Sequence, residues 1–227
     1  MHCRVGTCAA LCHRGIKFVG FVDSDNRCPL SVTEYIRSFA YGVSLANDPN
    51  NVNVRLRWGG KGYSGDVLNF RSHGSVSTRT NKFFNRLIED KNGLIETGNA
   101  GEELFSTGLL LRLPWGARFG METKFLWWLL QKERCEIRQI RTISPHIHTQ
   151  REIGHSEKIT GHGKEMMAES WEVFLSDPDV PKEIKKEIKE EMESLGVPKV
   201  SLKIYPPLEK AIRSITEELE KIIEIIE

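Results

Sequence analysis

The chain has 227 residues, 39% hydrophobic and 28% charged, with a formal net charge of +1. So even a balance excludes wholesale binding to nucleic acid or an anionic membrane surface, and no apolar run approaches the roughly 20 residues of a membrane span. The opening stretch, Met1 to Gly15, has no signal-peptide pattern, so a cytoplasmic protein of one large domain, or one domain with an appendage, is expected.

Five cysteines, Cys3, Cys8, Cys12, Cys28 and Cys135, form an odd set, which argues against a disulfide framework. Cys3, Cys8 and Cys12 with His13 admit a metal-cluster reading, but their spacing fits no common zinc or iron–sulfur pattern. Cys8 and Cys12 also stand i,i+4, as on one buried helix face, and packing is the preferred reading.

The first strand is expected over Lys17 to Val22, in the centre of a sheet because polar alternation is absent. Ser31-Val32-Thr33-Glu34 then reads as a capping box, and Val32, Tyr35, Ile36, Phe39, Ala40 and Val43 recur at helical spacing. The helix is expected to stop by Asn47 to Asn51. Val52, Val54, Leu56 and Trp58 alternate with Asn53, Arg55 and Arg57, predicting a half-buried strand with two arginines on its other face. Gly59 to Gly65 is a glycine-rich connector without P-loop spacing, and Val67 to Phe70 is a further strand candidate.

A helix is predicted through Phe83, Phe84, Leu87 and Ile88, a small-residue loop over Thr97 to Glu103, and a helix over Glu122 to Lys132. Trp127-Trp128 reads as core or interface rather than a base-stacking platform, since no basic stripe accompanies it. Glu136 to Ile143 returns to the sheet. Pro181 and Gly196 bracket a helix whose charges form a solvated face. Leu208, Ile212, Ile215, Leu219, Ile222 and Ile226 follow heptad spacing, to dock on the domain or on a partner. Lys, Glu and Ile enrichment here suggests a heat-loving source.

Asp23-Ser24-Asp25 carries the chemistry. Residues i and i+2 of an extended chain point to one side, so two carboxylates converge at the carboxyl end of a strand, where ligands sit in open α/β sheets. Such a pair suits a hard divalent cation that completes its shell with phosphate and water; the plain alternative is a turn in which Asp23, Ser24, Asp25 and Asn26 cap backbone groups. Ser144-Pro145-His146-Ile147-His148 follows the last strand candidate and offers an imidazole, which would admit Mn²⁺, Co²⁺ or Zn²⁺ beside Mg²⁺. A rival set, His146, His148, His155 and His162, would make a hydrolytic zinc site, although His155 and His162 are expected in an exposed loop.

In order along the chain, "VGFVDSDN", "VRLRW", "GSVSTRTN", "TGNAGE", "GARFGMET" and "SPHIH" resemble the mannosyl-3-phosphoglycerate synthases, nucleotide-sugar transferases of GT-A type. The likeness covers residues 8 to 212, including the weaker Leu195 to Ala211. It implies an α/β, GT-A-like (Rossmann-like) sheet, the C-terminal part only. Residues 1–170 would be a partial glycosyltransferase domain and 171–227 a helical extension.

By position, the resemblance makes Asp23, Asp25 and His146 the metal ligands, with His148 as the alternative, and Asp25 and Glu122 the catalytic candidates, Glu122 toward a sugar hydroxyl. It gives Gly74, Ser75, Val76, Ser77 and Thr78 to the phosphate and carboxylate of 3-phosphoglycerate, and Asn99, Ala100, Gly101, Glu102 and His148 to the substrate pocket. The implied reaction is retaining transfer of mannose from GDP-mannose to the 2-hydroxyl of 3-phosphoglycerate, on the way to the compatible solute mannosylglycerate.

Where the family carries an arginine, in a "GRVS" loop, this chain has Ser75, and Arg71, Arg79 or Lys82 is left to meet the phosphate. The family also has a long stretch before its D-x-D, so the chain reads as N-terminally truncated. A homo-oligomer, or a partner chain supplying the other half, is therefore expected. A non-catalytic remnant or subunit and a histidine-site metal hydrolase are the alternatives.

Overall fold

The computed structural model describes residues 14–22, 30–57, 79–88, 95, 101–116, 120–133, 135–144 and 161–210, with 213, 214 and 217. Its centre is a four-stranded sheet in the order β1 (Phe18–Phe21), β3 (Glu103–Ser106), β2 (Val52–Arg57), β5 (Glu136–Arg141). β1 and β2 both run antiparallel to β3, while β2 and β5 are parallel over their whole length, from Val52↔Glu136 to Arg57↔Arg141. Strands β1, β2 and β5 therefore share one direction and β3 opposes them. The architecture is mixed α/β, as expected.

Helix α1 (Ser31–Ser44) covers one face. Tyr35 and Phe39 pack on Val52, Val54, Leu56 and Ile140. The approach is close: a Cβ added at Gly42 would stand 2.3 Å from Val54 Cγ1, so only glycine admits this contact. The other face meets α3 (Thr107–Arg112) and α4 (Gly120–Trp128), where Val19 and Phe105 join Leu109, Leu110, Phe125 and Leu129. After α4 the chain widens into a π turn, Leu129–Glu133.

Beyond α4 lies the largest apolar cluster, shared by α2 (79–87), α4, α5 (Gly161–Ser176) and α6 (Lys182–Leu195) and holding Phe83, Phe84, Trp127, Trp171, Phe174 and Ile188. Pro181 and Gly196 bracket α6 as predicted, Gly196 in the left-handed region at φ 60 that a helix C-cap favours. Trp127 is core, its indole Nε1 donating to Asp177 Oδ2 at 2.9 Å. The boundary expected between residues 170 and 171 falls inside α5, whose buried residues on both sides join this cluster. A short ladder, β4 (Trp115–Gly116) with β6 (Ile204–Tyr205), ties the following segment back, and Leu208 is buried beside Trp115. Among the described residues no helix is long and apolar enough to cross a membrane.

Several expectations are corrected. Among the described residues β1 is an edge strand, paired with β3 alone; its apolar run reflects covering on both faces, not a central position. β2 does not show a polar face to solvent: Asn53 and Arg55 are fully buried, and only Arg57 is exposed. Arg55 is accepted there because it lies directly opposite Glu103 in the register and pairs with it. Strand β3 and helix α3 fall where no element was expected, and Glu103 opens β3 rather than closing a loop.

Ser31 makes no capping hydrogen bond, so the capping box is absent. The charges of α6 are not all solvated: Glu187 pairs with Arg86, and Glu191 with Arg79 and Lys82 of α2. His162 lies in α5, not in a loop. The readings on Cys3, Cys8, Cys12, His13, Cys28, His155 and residues 59–78 lie outside the described residues.

Candidate functional site at one end of the sheet

Strand direction selects one end of the sheet. The chain leaves it at Val22, after β1, at Arg57, after β2, and beyond Arg141, after β5; it enters at Glu103, the start of β3. The next residues are those singled out in the sequence: Asp23 and Asp25 follow β1, His146 and His148 follow β5, and Asn99 to Glu102 precede β3. Topology thus directs the flanks of three candidate segments to one edge, the carboxyl end of three parallel strands. β1 and β5 are three strand spacings apart, roughly 14 Å.

Asp23, Asp25, Gly74, Ser75, Val76, Ser77, Thr78, Asn99, Ala100, His146 and His148 lie outside the described residues, as does Arg71. Gly101 and Glu102 are described, Glu102 buried at the entrance to β3, where Leu56 N donates to its main-chain oxygen at 3.1 Å. Glu122 stands in the first turn of α4, half-buried. Arg79 and Lys82, two of the three cations left for a phosphate, both reach Glu191 instead. The described residues alone contain no group of three His, Cys, Asp or Glu side chains that could hold a metal ion.

Glu34 was missed as a site residue. It sits in the first turn of α1, 5% exposed, and its carboxylate accepts hydrogen bonds from two consecutive main-chain amides beyond β5, Ile143 N and Ser144 N, both at 3.2 Å. Ser144 Oγ at 3.0 Å, Ser38 Oγ at 2.9 Å and Arg37 add three more donors. Burial alone would raise the Glu34 pKa; the bonds from Arg37, Ile143, Ser38 and Ser144 outweigh it and hold it down to about 2. Thr142 Oγ1 donates to Ser144 O at 2.8 Å, and Thr142 N to Arg57 O at 2.9 Å. The signal was present as Ser-x-x-Glu, but that pattern equally describes a local cap.

Comparison with known proteins gives a consistent result. A mannosyl-3-phosphoglycerate synthase from Aeropyrum pernix is 32% identical over 202 residues, 81% of this chain and 50% of its own length. One from Pyrococcus furiosus is 28% identical over 94% of this chain and 57% of its own length. The chain thus spans about half the length of the curated relatives it matches. The crystal structure of mannosyl-3-phosphoglycerate synthase from Rubrobacter xylanophilus superposes with a TM-score of 0.50 at 14% identity, covering 86% of this chain and 60% of that one, a likeness of fold. The family model for mannosyl-3-phosphoglycerate synthase matches residues 4–225, and on that match the chain belongs to the mannosyl-3-phosphoglycerate synthase family.

Proposed function

We propose that this chain carries the metal and acceptor elements of a retaining mannosyltransferase that moves mannose from GDP-mannose to 3-phosphoglycerate. The observation that carries the reading is the common end of the sheet, toward which β1 and β5 lead the D-x-D and P-H-I-H segments and from which β3 departs after Glu102. Two carboxylates and an imidazole fit a divalent cation, Mg²⁺ or Mn²⁺. When bound, such a cation neutralises the charge that develops on the departing nucleoside diphosphate.

In this reading Asp23, Asp25 and His146 hold the cation, Asn99 to Glu102 line the sugar and acceptor pocket, and residues 74–78 receive the acceptor. Glu122 orients a sugar hydroxyl. Because Arg79 and Lys82 are engaged by Glu191, the acceptor phosphate falls to the main-chain amides of 74–78 and to Arg71. Assembly is part of the proposal. The apolar groove between β1 and α1 supports self-association or a partner chain.

Calorimetric titration of the full chain with GDP-mannose, with and without Mn²⁺, tests the proposal. Binding that needs Mn²⁺ and disappears in Asp25→Ala is expected. A flat titration at every metal level overturns it and leaves a non-catalytic remnant.

A further inference from the structure

Resting on the reading above, we propose that Glu34 is the positioning residue of the metal centre. Its buried carboxylate fastens the chain just before Pro145-His146 to the first turn of the helix that follows Asp23-Ser24-Asp25. The two flanks of the donor set, on strands separated by β3 and β2, are thereby locked to one rigid group.

Three observations carry this. First, residues 142–144 have no apolar anchor of their own, since Ile143 is 72% exposed. Their position is set by polar bonds, and Glu34 accepts three of them. Second, the carboxylate serves no local purpose: Glu34 N donates to Leu30 O in the ordinary helical way, and α1 has no side-chain cap. A buried carboxylate with five donors is costly to desolvate and is retained where its geometry is needed. Third, α1 is itself fixed to the sheet at its other half, where Gly42 meets Val54, so it is a firm base for the Ser144 anchor. Orientation of ligands by such outer partners typically carries 10- to 100-fold in metal affinity.

The test uses the full chain and Mn²⁺ alone, with free Mn²⁺ counted by electron paramagnetic resonance well below the lowest Tm of the set. Glu34→Gln places an amide donor against main-chain donors and is expected to weaken Mn²⁺ binding about tenfold. It should also speed amide exchange at Ile143 and Ser144. Ser144→Ala removes one donor and is expected to weaken binding severalfold. Arg37→Met, which loses only a half-exposed partner on the far side of the carboxylate, is expected to leave Mn²⁺ affinity unchanged. Asp25→Ala should abolish binding. If Glu34→Gln lowers Tm while Mn²⁺ affinity and exchange at 143–144 stay at wild-type values, the positioning role is overturned and the metal centre stands. If Glu34→Gln does not fold, an unchanged Mn²⁺ affinity in Ser144→Ala overturns it. A wild-type chain that takes up no Mn²⁺ overturns the metal centre and the positioning role together.

Discussion

The two faces of the central sheet are covered unequally. One face supports α3 and α4, and behind α4 a second cluster of Trp171, Phe174, Phe83 and Phe84 closes with edge-to-face ring contacts, among them Phe84 on Phe174 at 4.8 Å. The other face has α1 alone. Tyr35 and Phe39 reach the sheet, but Val32 and Ile36, which belong to the same stripe, are 66% and 67% exposed. They line an open groove of about 910 Å³ with Phe18, Gly20 and Leu104. Helical periodicity alone could not show this. An apolar stripe marks a face that will be buried, whether by the same domain or by another body. The thick face is held by packing and the thin face by specific fasteners, Gly42 against Val54 and Glu34 against Ser144.

Three changes separate these regimes. The largest effect belongs to the thick face. Trp171→Ala empties a fully buried site and is expected to cost about 4 kcal/mol, read as a fall in urea midpoint. A loss under about 1 kcal/mol would show that this cluster is not the main source of stability.

Acid comes next and acts on the thin face. Glu34 is held at about 2 against an ordinary 4.5, a lowered pKa, so its stabilisation is complete above about 4.5 and lost as the pH falls from there toward 2. The shift corresponds to roughly 3 kcal/mol. Amide exchange should therefore rise first in α1 and at 143–144 over that pH range, before the α4–α5 core opens. Simultaneous opening of both faces would break the contrast.

The smallest effect on stability belongs to the groove. Ile36→Lys is expected to change unfolding free energy by no more than about 0.5 kcal/mol, yet to reduce the self-association of the wild-type chain in sedimentation velocity. A wild-type chain that sediments as a clean monomer at high concentration would mean that the groove is content with water.

Elements with a strong internal period were legible in the sequence. The α1 stripe, the Phe83-Phe84 helix, the tryptophan helix and the Pro181–Gly196 helix all lie where spacing put them, because each carries its own hydrophobic pattern and its own stop. The sheet was less legible. Apolar residues 17–22 look alike in a central strand and in an edge strand covered on both sides, and β3 has only four residues, too few for a period. Burial of Arg55 depended on Glu103, a partner far along the chain that only pairing register supplies. Glu34 was misread for the same reason. The pattern Ser-x-x-Glu is local, whereas the donors that fix Glu34 stand beyond β5. For the site, the D-x-D and P-H-I-H motifs are readable as chemistry, and the common strand direction that relates their flanks is not.

The pairing scheme has a kinetic consequence. No two described strands of the central sheet form a hairpin: Phe18 must find Ser106, and Val52 must find Glu136. Each pairing closes a long loop before it gains a contact, whereas α5 and α6 are neighbours joined by a short turn. Local helical structure should therefore form early and the sheet late, in the slow, millisecond-to-second regime typical of non-local topologies. Until the strands lock, the Glu34 carboxylate has no amides to hold, so any ability to bind a cation should appear only with the final, slowest refolding phase.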